Sequence, residues 1–168
     1  MQLRLREGNP LNGSVDILLV EDSQDDMDLA LHALRHEKLA NSIFVVRDGE
    51  EALDFLFCRG TFAQRDIDHP PKLVLLDLKL PKVDGLQVLK QLKSDPRTRT
   101  IPVVIMTSSR EERDVVEGYS SGVNSFIQKP VDFEQFRTTV KSLGMYWLVV
   151  NQPPVTNNHK TPARGATV

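Results

Sequence analysis

The sequence is short of several things, and each shortage excludes something. A single cysteine, Cys58, leaves no partner for a disulfide within the chain and suits a reducing compartment. No apolar run approaches the roughly 20 residues needed to span a bilayer. The opening residues, MQLRLREGNPLNGS, lack the apolar centre of a secretory leader. The formal net charge is only -2, so there is no broad electrostatic pull toward nucleic acid or an anionic membrane. No internal repeat stands out at spacings of about 20–50 residues. What remains is a soluble chain expected in the cytoplasm, with neither nucleic acid nor membrane among its partners.

What is present fits one globular domain. The 168 residues are 40% hydrophobic and 26% charged, enough to bury a substantial core. Residues 1–13 read as a flexible N-terminal arm, 14–150 as the domain and 151–168 as a polar, disordered tail. That tail is too short and too polar to be an output domain. Short apolar runs, VDILLV (15–20), SIFVV (42–46), LVLLD (73–77), IPVVIMT (101–107) and NSFIQ (124–128), are candidate strands. Between them lie stretches with helical spacing, near 24–38, 48–57, 84–93 and 110–121, and a last helix from Asp132 to about Val150. Asp48 with Glu51 three residues on predicts a capped start for the second helix. Strands alternating with helices imply an α/β fold, a doubly wound parallel sheet covered on both faces. Ligands of such sheets sit outside the carboxyl ends of the strands.

The residues just past the strands carry the chemistry. Glu21 and Asp22 follow the first strand, Asp77 ends the third, Thr107 and Ser108 close the fourth, and Lys129 and Pro130 follow the fifth. Three carboxylates in one cleft repel and raise one another's pKa. A hard divalent cation resolves that conflict, and Mg2+ accepts oxygen ligands while keeping waters for a phosphate. A phosphoryl group on Asp77 would present oxygens that the cation, Lys129 and Thr107 could each neutralise. Taken singly, each residue has a plainer reading. Asp22 serves equally as a helix cap, Phe126 as core and Cys58 as a helix-end residue. The histidines, His32, His36, His69 and His159, show no metal spacing and read as surface.

Together, LLVEDSQDD, LVLLDLKLPKVDG, VVIMTSS and FIQKP resemble the receiver domain of two-component response regulators. The resemblance covers about residues 15–150, with 55 residues from Asp22 to Asp77, 30 more to Thr107 and 22 more to Lys129. It implies a flavodoxin-like (βα)5 fold with strand order 2-1-3-4-5. It also implies Asp77 as phosphoacceptor, Asp22 as direct Mg2+ ligand, Glu21 acting on the metal through water, and the backbone carbonyl of Lys79 as a further ligand. Thr107 and Phe126 would be the switch pair and Lys129 the phosphate holder, aimed by a cis Lys129–Pro130 bond.

Two features narrow the resemblance. The 58–71 connection is long, against about 2–6 residues in such folds, although it reads as tolerated surface. The last helix has a core stripe of Phe133, Phe136, Val140, Leu143 and Trp147, and a surplus of Met145, Tyr146, Leu148 and Val149 off that stripe. Both resemble the single-domain response regulators of bacterial phytochromes. That implies a phytochrome histidine kinase as donor, an unnamed downstream protein as target, and a homodimer through the C-terminal surplus. Two other functions compete. A degenerate receiver would act as a phosphorylation-independent binding scaffold. A phosphatase of the haloacid-dehalogenase type would need an acid where Lys79 stands. Only weak self-phosphorylation and self-dephosphorylation are expected, not a dedicated enzyme.

Overall fold

The computed structural model describes residues 14–36, 42–129 and 132–154. Five parallel strands, β1 (Ile17–Val20), β2 (Ile43–Val46), β3 (Leu73–Leu76), β4 (Val103–Thr107) and β5 (Ser125–Gln128), lie in the order β2-β1-β3-β4-β5. This is the flavodoxin-like order that the sequence motifs implied. The helices are α1 (Gln24–His36), α2 (Gly49–Leu56), α3 (Gly85–Ser94), α4 (Glu112–Ser120) and α5 (Phe133–Met145). Among the described residues, no helix is long and apolar enough to cross a membrane.

Alternation along each central strand builds two cores at once. Leu18, Val20, Val74, Leu76, Val103 and Ile105 face α2 and α3. Ile17, Leu19, Leu73, Leu75, Val104 and Met106 face α1 and α5. Both faces are buried, which is why these strands read as unbroken apolar runs rather than as alternating ones.

The helix starts follow local chemistry. The Asp48 side chain accepts the Glu51 N–H at 2.8 Å, a cap worth about 1 kcal/mol. The Glu51 carboxylate does not reach back to Asp48. It accepts the N–H of Arg47, at 3.0 Å. At α3 the reciprocal box is complete, between Asp84 and Gln87.

Several expectations need adjustment. The 58–71 connection is not merely tolerated surface, for part of it belongs to the core. A 3-10 turn at Gly60–Phe62 buries Phe62. Its ring lies 5.2 Å from Phe55 and 5.7 Å from Phe44. Arg65, only 9% exposed, lays its guanidinium 3.6 Å from the Phe55 ring centre and donates to the Phe55 carbonyl at 2.6 Å. Cys58 stands just past α2 with φ +54, a helix-end residue. The last helix is α-helical only to Met145 and closes with a wider turn at Tyr146–Val150. Leu148, assigned to the surplus apolar set, instead packs with Trp147 against the α1/α5 core. The wider turn fits more residues per revolution, so two consecutive side chains reach inward. Met145, Tyr146 and Val149 do remain exposed. His32 and His69 are exposed. Leu39, the Phe133 and His36 side chains, the Lys129–Pro130 bond, residues 1–13 and 155–168 with His159 lie outside the described residues.

Candidate functional site

The topology makes the site. From β1 the chain goes first to β2 on one side and then to β3 on the other. The connections therefore diverge at the carboxyl ends of β1 and β3 and leave a crevice there. Val20 pairs with Leu76, Leu76 with Ile105, and Ile105 with Phe126. One residue beyond this row come Glu21 and Asp77, and Thr107 and Lys129 follow on the neighbouring strands. The register fixes this meeting. The Asp77 N–H donates to the Val20 carbonyl and the Lys129 N–H to the Thr107 carbonyl.

Glu21, Asp22 and Asp77 offer carboxylate oxygens within 4.8 Å of one another. Glu21 and Asp77 are buried, whereas Asp22 is exposed at the crevice mouth. The Lys129 side chain, only 9% exposed, enters this crevice. Its ammonium donates to Glu21 Oε2 at 2.6 Å, Asp26 Oδ2 at 2.7 Å and Asp77 Oδ2 at 3.1 Å. An ammonium has three protons, and here three carboxylates take them.

Electrostatics follow from that arrangement. Burial disfavours the Lys129 ammonium, but the hydrogen bonds to Asp26 and Glu21 and the Asp77 charge outweigh it and hold its pKa above the usual lysine range. Burial is also the largest influence on Glu21 and pushes it up. Lys129 pulls the other way, and repulsion from Asp77 adds to the rise.

Thr107 is fully buried, and its Oγ1 accepts the Ser109 N–H at 3.2 Å. The Ser109 hydroxyl donates to Asp114 on α4 at 2.6 Å. Phe126 is half-buried beside Ile105 and Gly118. The Lys79 N–H turns back toward Asp77 Oδ1 at 3.4 Å. The geometry thus brings Glu21, Asp22, Asp77 and Lys129 together, with Thr107 one strand away.

Sequence reasoning missed Asp26. The signal was available in EDSQDD: Ser23 caps α1 by accepting the Asp26 N–H, at 3.4 Å, and so fixes the first helical turn. A residue four places beyond Asp22 then stands above the same crevice.

A family model for the response regulator receiver domain matches residues 17–141. The probable methanogenesis regulatory protein FilR2 of Methanothrix harundinacea is 42% identical over 138 residues, covering 82% of this chain and 86% of that protein. Three solved structures are similar. The phosphorylated cyanobacterial phytochrome response regulator RcpA superposes with a TM-score of 0.78 at 37% identity, covering 85% of this chain and 100% of its own. The Mn2+-bound form of response regulator Rcp1 gives 0.77 at 35% identity, with 85% and 100% covered. The bacteriophytochrome response regulator RtBRR gives 0.67 at 52% identity, with 82% of each chain covered. Receiver domains bind Mg2+ or Mn2+ in an acidic pocket, are phosphorylated by histidine kinases, and are generally signalling proteins rather than enzymes. With its fold, strand-end acids and matched span in agreement, the chain belongs to the response regulator receiver family and is related to the response regulators of phytochromes.

Proposed function

We propose that Asp77 accepts a phosphoryl group from a histidine kinase, a phytochrome in particular, and that the phosphoryl group resets a protein-binding face. The observation that carries this is the convergence of Glu21, Asp22, Asp77 and Lys129 in the β1/β3 crevice. A carboxylate oxygen of Asp77 attacks phosphorus, the phosphorus–nitrogen bond of the phosphohistidine breaks, and the electron pair leaves with the imidazole. Lys129 already touches Asp77 and is positioned to neutralise one phosphoryl oxygen. Thr107, bonded now to the Ser109 N–H, can turn its hydroxyl to another.

The donor set fits a resident Mg2+, for it is all oxygen, anionic and partly open to water. Asp22 and Asp77 would hold the ion directly, Glu21 through water, and Lys79 by its backbone carbonyl. When bound, the ion supplies positive charge against the phosphoryl oxygens. Phe126 lies beside the fourth helix, so turning its ring inward would alter the α4/β5 face as Thr107 moves. That makes a two-state element.

Pairing with a phytochrome is supported by the likeness to RcpA and RtBRR. Exposed Met145, Tyr146 and Val149 at the end of α5, with Leu148 behind them, support a two-fold homodimer. A cytoplasmic site and an unidentified downstream protein complete the reading. Acetyl phosphate with Mg2+ should label the protein stoichiometrically. EDTA should block labelling, and Asp77→Asn should abolish it. Persistent labelling of that variant would refute the assignment.

A further inference from the structure

We infer that Asp26 is a positioning residue that competes with the phosphoryl group for Lys129. The inference rests on the receiver reading above, but it concerns a residue outside the metal-ligand set. Asp26 Oδ2 takes the Lys129 ammonium at 2.7 Å, closer than Asp77 at 3.1 Å. It does so from a different element, the first turn of α1, whereas Glu21 and Asp77 sit at strand ends. Its side chain is 39% exposed, against 4% for Glu21 and 9% for Asp77. Asp26 therefore holds the ammonium from the solvent side of the crevice.

The consequence is a competition. Of the three carboxylates that hold Lys129 among the described residues, Asp77 loses a charge-bearing oxygen when it becomes an acyl phosphate, and Glu21 would be shared, through water, with a bound metal. Asp26 is untouched by either event. A phosphoryl oxygen must then draw the ammonium toward itself against Asp26, or share it. Each state of the site is weighed against that pull, so the Asp26 charge sets how strongly Lys129 can bind the phosphoryl group.

The neighbouring acid Asp25 supplies the control. It carries the same charge in the same helical turn but is not among the three partners of Lys129. The experiment titrates the full chain, with Mg2+, against beryllofluoride, which mimics a phosphoryl group on Asp77. Binding is read by calorimetry. Asp26→Asn should lower the half-saturating concentration by about three- to fivefold, the scale of a partly exposed ion pair. Asp25→Asn should leave it within about 1.5-fold. Unchanged or weaker binding by Asp26→Asn overturns the inference. Equal tightening by both variants also overturns it, because general loss of negative charge would then suffice. A wild-type chain that takes up no beryllofluoride removes the receiver reading itself, and the competition with it. Asp26 lies on a helix surface, so neither variant threatens the fold.

Discussion

Gly85→Ala should cripple the site without replacing any residue that does chemistry. Gly85 opens α3 and lies directly against the β3 end of the crevice. A Cβ built there would stand 2.2 Å from the Asp77 carbonyl oxygen, 2.7 Å from Leu78 Cα and 3.0 Å from the Asp77 carbonyl carbon. Ordinary contact begins near 3.4 Å, so the added carbon falls short by about 1.2 Å. All three neighbours are backbone and cannot rotate away. The loop is also pinned, since the Gly85 N–H donates to the Leu78 carbonyl at 2.8 Å and Asp84 caps α3 at the Leu86 N–H, 2.8 Å away. Overpacking of this kind costs about 1–3 kcal/mol, and a broken loop hydrogen bond about 1 kcal/mol more. For a domain of this size that corresponds to a fall in Tm of about 4–16 °C. A shift near 1 Å at the nucleophile can cost about 100-fold in rate. The assay is thermal unfolding beside acetyl phosphate labelling, the latter well below the variant's Tm. A Tm within about 1 °C of wild type, with labelling within about twofold, would show that the Gly85 approach is not a constraint. Gly49→Ala supplies a contrast. Its Cβ would stand 1.9 Å from the Val83 carbonyl oxygen, farther along the same loop, so stability should fall as much while labelling falls less.

Three further outcomes are expected. Arg65→Ala should lower stability to urea by about 2–3 kcal/mol, because it removes the stack on Phe55 and the bond to the Phe55 carbonyl. Arg65→Lys should not restore it, since an ammonium cannot stack as a plane. Hydrogen bonds from the Arg97 side chain and backbone pull Asp95 down to about 2, from 3.8. The unfolded chain therefore binds more protons between these values, and stability contributed by Asp95 is present above about 4 and lost as the pH falls through about 2. The urea midpoint of Asp95→Asn should accordingly lie below wild type at pH 7 and converge with it toward pH 2. Val149→Asp, at an apolar position 62% exposed, should shift the mass in solution from dimer to monomer while leaving acetyl phosphate labelling intact. A wild-type monomer at every concentration would remove the proposed interface.

Much of the fold was legible because both faces of the sheet are covered. Runs such as LVLL and VVIM are apolar throughout, and the polar residue that follows each one, Asp77 or Thr107, marks the carboxyl edge of the sheet. Asp77 was conspicuous for that reason, as an acid directly after four buried residues. Less legible were residues whose role depends on a distant partner. Asp26 reads as an ordinary acid in the first turn of a helix, and its partner Lys129 is 103 residues away. Arg65 reads as a charged loop residue, yet it is buried because an aromatic face and a carbonyl happen to lie ten residues back in the chain. Leu148 misled for a local reason, since the helical period used to sort α5 does not hold in the wider turn at its end.

The alternation of strands and helices, the covering of both sheet faces and the strand ends that carry Glu21, Asp22, Asp77, Thr107 and Lys129 could be read from the chain alone, because hydrophobic periodicity and chain-breaking residues act locally. Which of those ends converge, and what each one touches, came from the packed fold alone. That depends on β1 lying between β2 and β3, and on the register that carries the Lys129 ammonium into a pocket of three carboxylates. Contacts between residues so far apart are set by the summed packing of the whole sheet, and no stretch of the chain encodes them alone.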